Sequence, residues 1–355
     1  MFSGSYPSDD VEFLLKVIDL DFTSLAEKET LIQSGKSHYS QMLSAEYEPT
    51  QHYLDTFYEV FESNKKRFAK DILILANNLN RQKNIVLVSL VRAGTPIGVL
   101  LKRTLERRFQ KRVMHYSISI IRDKEIDKNA LDTIVKNNKD ATIIFIDGWT
   151  GKGVINTELK KFIAHYNALN NTTVSDKLYV VSDIAGVADY CVTNDDYLIP
   201  SSALNSTISG LISRSILNSD YIFEGDYHGC KFYHEYKESD LSVWFVDEIV
   251  KIIDEMEIPQ EKLIEKNEAY TPKIKDYLLK IQKEYSISSL NYLKPGIAES
   301  ARVLLRRIPH LILFKDVNNK DIAHLKHLAH EKNVRIVEDT TMPYLALAII
   351  KEEVQ

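Results

Sequence analysis

A chain of 355 residues that is 44% hydrophobic exceeds one typical domain and can fill a sizeable core. Its formal charge of -5 at pH 7 supplies no global basic field for nucleic acid or an anionic membrane, so any polyanion site must be local. Cys191 and Cys230, the only cysteines, are too few for a disulfide framework and form no CxxC or zinc-ligand spacing. The opening MFSGSYPSDDVEFLL has no basic segment leading into an apolar run, and no window is apolar for the ~18 residues that a membrane span needs. The expectation is a cytoplasmic protein without a membrane partner; the sequence leaves a homo-oligomer open.

In chain order, Leu54, Phe57, Tyr58 and Phe61, then Phe68, Ile72, Leu75 and Leu79, recur at helical spacing, predicting one long or two consecutive amphipathic helices over 53–80. Three short β-rich runs follow, IVLVSLV (85–91), TIIFID (142–147) and LYVVSD (178–183), separated by helical patterns. Alternating strand and helix predicts a doubly wound parallel α/β sheet, whose ligands sit beyond the carboxyl ends of the strands. The charged stretch over 254–287 reads as a helical linker. Residues 288–355 read as a small α/β sandwich, leaving 1–253 as the main domain with helical additions at its start. Residues 286–355 carry ten Lys and Arg against eight Asp and Glu, a net of +2, so the remainder carries 35 against 42, or -7. The cationic share lies C-terminal.

Two glycine turns follow predicted strands. In ATIIFIDGWTGKG, a strand ends in Asp147 and runs through Gly148, Thr150, Gly151, Lys152 and Gly153 into a helix. Free backbone N–H groups at such a helix start receive phosphate, and glycine lets the backbone approach it. A Walker A loop is excluded, because Ile146 stands where its first glycine belongs and Gly153 where its Ser or Thr belongs. The turn Arg92-Ala93-Gly94-Thr95 repeats the layout after the first strand. Two such turns on adjacent strands predict one sugar ligand carrying two phosphates.

This pair resembles the type I phosphoribosyltransferases: LVRAGTPIG is similar to their pyrophosphate loop, and IIFIDGWTGKG to their phosphoribose loop, with Gly148 in place of the usual second acid. The motifs SGSYPSDDVEFLL, SGKSHYS, YSISIIRDKEID, DGWTGKG, IPSSALNSTISGLISRS and DYHG, taken in order, resemble the phosphoribosyltransferase-like (StiP-like) proteins of bacterial tellurite-resistance and stress operons, over roughly residues 1–250. The resemblance implies a phosphoribosyltransferase that uses 5-phosphoribosyl 1-diphosphate and Mg²⁺ to make or break an N-ribosidic bond. Arg92, Ala93, Gly94 and Thr95 would hold the diphosphate. Thr150, Gly151, Lys152 and Gly153 would hold the 5-phosphate, and Asp147 beside Gly148 the ribose hydroxyls. Arg122 would close over the leaving group, and preorganised charge would carry the catalysis.

For the acceptor side, Asp183 ends the third predicted strand, and Ser209, Arg214, Asp226 and His228 come from polar motifs that no amphipathic face requires; His228 is the candidate general base. Some StiP-like proteins carry a cysteine-protease label, and Cys230 lies two residues after His228, though neighbours at that spacing rarely form a nucleophile–base pair. A third alternative is a nucleotide-sensing, RNA-binding regulator. LKPGIAESARVLLRR (293–307) resembles the start of the pelota-type RNA-binding domain. Its Gly296, Glu299 and Arg302 match that family's G-x-x-E-x-x-K/R pattern, with Lys294 and Arg306 as further RNA-binding cations.

Overall fold

The computed structural model describes residues 1–266 and 270–352. The chain begins with β1 (Glu12–Leu14), β2 (Lys16–Val17) and α1 (Leu25–Gln33), followed by α2 (Gln51–Asn80). The 53–80 periodicity forms one helix: Thr50 caps its start by accepting from the Tyr53 N–H at 3.3 Å. Its Phe61 and Phe68 lie against Phe245 on α6 (Ser242–Glu255). The main sheet is built from β3 (Ile85–Leu90), α3 (Gly94–Phe109), β4 (Met114–Ile118), α4 (Lys128–Asn137), β5 (Thr142–Thr150), α5 (Val154–Asn170), β6 (Leu178–Asp183) and β7 (Tyr190–Thr193). A short β8 (Gly229–Cys230) pairs with β2.

Strand order in the large sheet is β1-β4-β3-β5-β6-β7-β9, parallel except for β9 (Ile264–Glu265), which runs antiparallel to β7. Residues of α2, α3 and α6 cover one face and residues of α4 and α5 the other, each with its own apolar cluster. β3 and β6 are buried throughout, as strands covered on both faces must be. This is the doubly wound parallel architecture expected from the sequence. The second sheet has order β10-β13-β11-β12 and contains β10 (Leu293–Pro295), β11 (Pro309–Phe314), β12 (Arg335–Glu338) and β13 (Ala346–Ile350). α8 (Ile297–Arg306) and α9 (Ala323–Glu331) accompany it as a small C-terminal α/β domain.

Two sequence expectations change. β5 continues through Gly148 to Thr150, pairing with Ser182 and Asp183 of β6, so most of the expected glycine turn is strand. The 254–287 segment is not one helix: α6 stops at Glu255, β9 joins the sheet edge, and α7 (Tyr270–Glu284) follows. Asn77 and Asn78 of α2 donate to the carbonyls of Pro259 and Glu261, at 2.8 and 3.0 Å, and hold this segment extended. Residues 267–269 of the expected linker lie outside the described residues.

The two sheets share a core. One continuous apolar cluster contains Tyr53 and Phe57 of α2 together with Ile297, Ala301 and Leu304 of α8, Phe314 of β11 and Leu325 of α9. Arg307 adds a bidentate ion pair to the buried Glu29 of α1, with its Nη2 bond at 2.7 Å. Among the described residues, no helix is long and apolar enough to cross a membrane.

Candidate functional site: a cationic cavity between the two sheets

Beyond Thr150 the chain turns through Gly151 and Lys152, and Gly153, at φ +81°, opens α5. A Cβ at Gly153 would stand 2.8 Å from Val187, so both space and backbone favour glycine there. Thr150 Oγ1 donates to Asp183, and Lys152 Nζ donates to the Leu290 carbonyl at 2.5 Å, reaching across to the segment that leads into β10. A Cβ at Gly151 would lie 3.2 Å from both the Pro295 carbonyl and Glu299 Cγ. The glycine turn is therefore where the C-terminal domain docks.

Between them lies a cavity of about 490 Å³, within the size range of small-ligand sites. From the N-terminal part come Lys28 of α1, Tyr39, Arg122, Arg214 and the turn with Asp147 and Lys152. From the C-terminal part come Lys294 on β10 and, at or just after α8, Glu299, Arg302, Arg306 and Arg307. Eight basic side chains thus face two acidic ones. Arg122 and Arg214 each lie 5.4 Å from the Tyr39 ring centre, and Arg302 lies 4.8 Å from that of Trp149 while bonding Glu299 at 2.7 Å.

The like charges show in their proton affinities. Burial, then Arg214 and Arg307, hold the Lys28 ammonium down to about 7, and burial, then Lys294 and Arg122, do the same to Lys152. Burial lowers Lys294 to about 8 and Arg214 to about 10, and drives Arg306 well below its ordinary value, with Arg92 adding to the effect. Among the described residues, Lys28, Lys152, Lys294, Arg214 and Arg306 make no ion pair, and Arg306 Nε has no hydrogen-bond partner although it is buried. Burial raises Asp147 to about 7 against the Gly148 N–H, which donates to its Oδ1 at 2.8 Å. Burial opposes ionisation of Glu299, but Arg302 and Lys294 outweigh it and lower its pKa.

The structure brings Ala93, Asp147, Thr150, Gly151, Lys152, Gly153, Arg122 and Arg214 to this cavity, together with the expected RNA cations Lys294, Arg302 and Arg306 and the carboxylate of Glu299. Of the other turn only Ala93 reaches it among the described residues. Arg92 is buried in a bidentate pair with Glu46, at 2.7 and 2.9 Å, and donates to the Ile212 carbonyl, so both terminal nitrogens of its guanidinium are engaged within the protein rather than offered to a diphosphate. A Cβ at Gly94 would lie 2.5 Å from the Ile146 carbonyl, and Thr95 Oγ1 is bonded to Ser117 at 2.8 Å; both are buried beneath β5.

The acceptor-side residues are likewise committed elsewhere. Asp183 takes the Thr150 hydroxyl on one oxygen and the Ala188 N–H on the other at 2.8 Å. Ser209 is buried and donates to the Asn205 carbonyl. Asp226 pairs with Lys16 at 2.7 Å. His228, its basicity lowered to about 4 by burial, contacts Ser119 through Nδ1 at 2.8 Å and lies outside the cavity. Cys191 and Cys230 are buried and free, and burial pushes both thiols up to about 12. Gly296, at φ +87°, precedes α8 but lies outside the cavity, against Ile184.

Sequence reasoning missed Lys28, Tyr39, Trp149, Tyr292 and Arg307. Tyr39 and Trp149 fall inside motifs already singled out, SGKSHYS and DGWTGKG, whereas Lys28 sits in a weakly patterned helix that signals nothing. Among the described residues no group of three His, Cys, Asp or Glu side chains could hold a metal, and the cavity's two carboxylates are bonded to Gly148 N–H and Arg302.

Residues 4–250 match the family described as tellurite-like stress resistance cysteine protease StiP, and the chain is 42% identical to "Cysteine protease StiP" of Acinetobacter baylyi, covering 99% of this chain and 94% of that protein. The chain belongs to the StiP family. Residues 273–352 match the PELOTA RNA binding domain. This relationship corrects the expectation of phosphoribosyl transfer, because the StiP relative that matches end to end is named for cysteine proteolysis. Among solved structures, a hypothetical protein from Neisseria gonorrhoeae with bound ppGpp is 13% identical at a TM-score of 0.24, covering 34% of this chain and 68% of that one. The hypoxanthine phosphoribosyltransferase of Trypanosoma cruzi is 13% identical at a TM-score of 0.26, covering 39% and 82%. Likenesses this slight carry no argument for activity.

Proposed function

We propose that the protein is a StiP-family enzyme whose control or working site is the interdomain cavity, and that this site takes a phosphorylated anion of nucleotide size. One observation carries this reading: five basic groups without ion pairs line a cavity that holds two carboxylates. Clustered cations held below their ordinary proton affinity are relieved by a polyanion, which supplies the missing opposite charge. Tyr39 and Trp149 offer aromatic faces beside those cations. Calorimetric titration with ATP and with pyrophosphate should give saturable binding, weakened about 10-fold or more in Arg302→Ala, as expected for one charged hydrogen-bond donor. Absence of saturable binding by the folded protein would remove the reading.

For chemistry, the reading supported by descent is the thiol proteolysis named for the 42% identical relative. RNA is the partner supported by the match of residues 273–352. A thiol near 12 is protonated at neutral pH, so Cys230 and Cys191 are at rest in this conformation, and proteolysis requires one of them to be uncovered. Native protein should therefore alkylate slowly with iodoacetamide. Peptide hydrolysis, once elicited, should vanish in Cys230→Ser or Cys191→Ser; hydrolysis that persists in the double variant refutes the thiol mechanism.

A further inference from the structure

The edge of the C-terminal domain expected to meet RNA faces inward. The N-terminus of α8, where a nucleic-acid phosphate would be received, is already occupied: Asp196, from the segment after β7, accepts from the Ile297 N–H at 3.0 Å and from the Leu345 N–H at 2.8 Å. Glu299 is engaged by Arg302 and by the Trp149 indole N–H, and the Gly151 turn abuts Pro295. Lys294, Arg302 and Arg306 look into the cavity. An RNA strand cannot lie along α8 while these contacts stand, and the unpartnered, buried Arg306 Nε shows that anion-binding capacity on this edge is left unused.

We propose that the N-terminal part of the chain seals the RNA-binding edge of the C-terminal domain, with the Asp196 carboxylate standing where an RNA phosphate would sit, so that RNA on α8 and a small anion in the closed cavity exclude one another. The proposal rests on the RNA reading of residues 273–352. The apolar cluster that runs through both sheets keeps the closed arrangement dominant. RNA affinity through this edge is accordingly reduced by the small fraction of open protein. A small anion bridging cations of both parts stabilises closure and opposes RNA further.

The test uses the full chain and a fluorescein-labelled stem-loop RNA, read by anisotropy, with folding followed by thermal melting. Asp196→Ala removes the carboxylate at the α8 N-terminus. Gly151→Leu is a second, independent route, placing a side chain where a Cβ already lies 3.2 Å from Pro295 and Glu299. Either folded variant should bind RNA about 10-fold more tightly than wild type. Pyrophosphate should weaken that binding, and adding Arg302→Glu should remove it. RNA binding that is equal in wild type and both variants, or indifferent to pyrophosphate, overturns the sealed-edge proposal while leaving RNA binding itself standing. If neither wild type nor either folded variant binds RNA, the RNA reading falls and the proposal with it.

Discussion

Replacing Glu46 by Ala is expected to lower the free energy of unfolding by about 3–5 kcal/mol, the usual result of leaving one member of a buried ion pair without its partner. Arg92 and Glu46 are both buried and joined by two bonds, and Glu46 also accepts from the Ser206 N–H at 3.3 Å. Burial alone would raise the Glu46 carboxyl, yet Arg92 and Arg306 overcome it and hold it at about 2, below the ordinary 4.5. The sign follows from linkage. A depressed carboxyl stabilises the fold above pH 4.5, and that contribution disappears as pH falls toward 2. Urea unfolding should therefore show a large loss for Glu46→Ala at pH 7 and a much smaller one near pH 2.5. The paired change Glu46→Leu with Arg92→Met should recover most of the loss, because it removes both charges. A Glu46→Ala variant as stable as wild type at pH 7 would show that Arg92 is not held as described and is free to meet a ligand.

Binding of pyrophosphate or ATP at pH 8 is expected to draw protons from the buffer, close to two of them onto Lys28 and Lys152. Lys28 and Lys152, both held near 7 by burial and neighbouring cations, are only about 10% protonated at pH 8. An anion raises their proton affinity, and Lys294, near 8, contributes further uptake. Asp147 acts in the same direction, since an added negative charge also raises its pKa above 7. The measured binding enthalpy should thus vary with the ionisation enthalpy of the buffer, with a slope that corresponds to uptake. That slope should shrink toward zero near pH 6, where the lysines are already charged. A slope of zero or of release at pH 8 would mean that the anion binds elsewhere.

The repeating elements of this fold are written locally. Runs at 85, 142 and 178, long enough to be buried on both faces, announce the central strands, and the 3.6-residue period announces α2. The short strands β1, β7 and β9 carry no such signal, because two to four residues cannot display a period. The Lys152 turn was legible because glycine, a cation and a strand end occur within a few residues. Arg92 was misread for the opposite reason: its partner Glu46 lies 46 residues upstream, in a segment without regular pattern, and nothing nearby reveals that the guanidinium is already engaged. Lys294, Arg302 and Arg306 could be read as cations from their type, yet nothing local shows that they face the cavity, in a packing that includes the Asp196–Ile297 contact across 101 residues. Proximity of that kind arises only when the chain folds.

An apolar interior that passes without interruption from α2 into α8, β11 and α9 also governs how this molecule should be dissected. Severing it between the sheets would leave each piece with a raw greasy wall, so fragments would report on aggregation rather than on native behaviour. Single-residue changes in the intact polypeptide are the instrument suited to it.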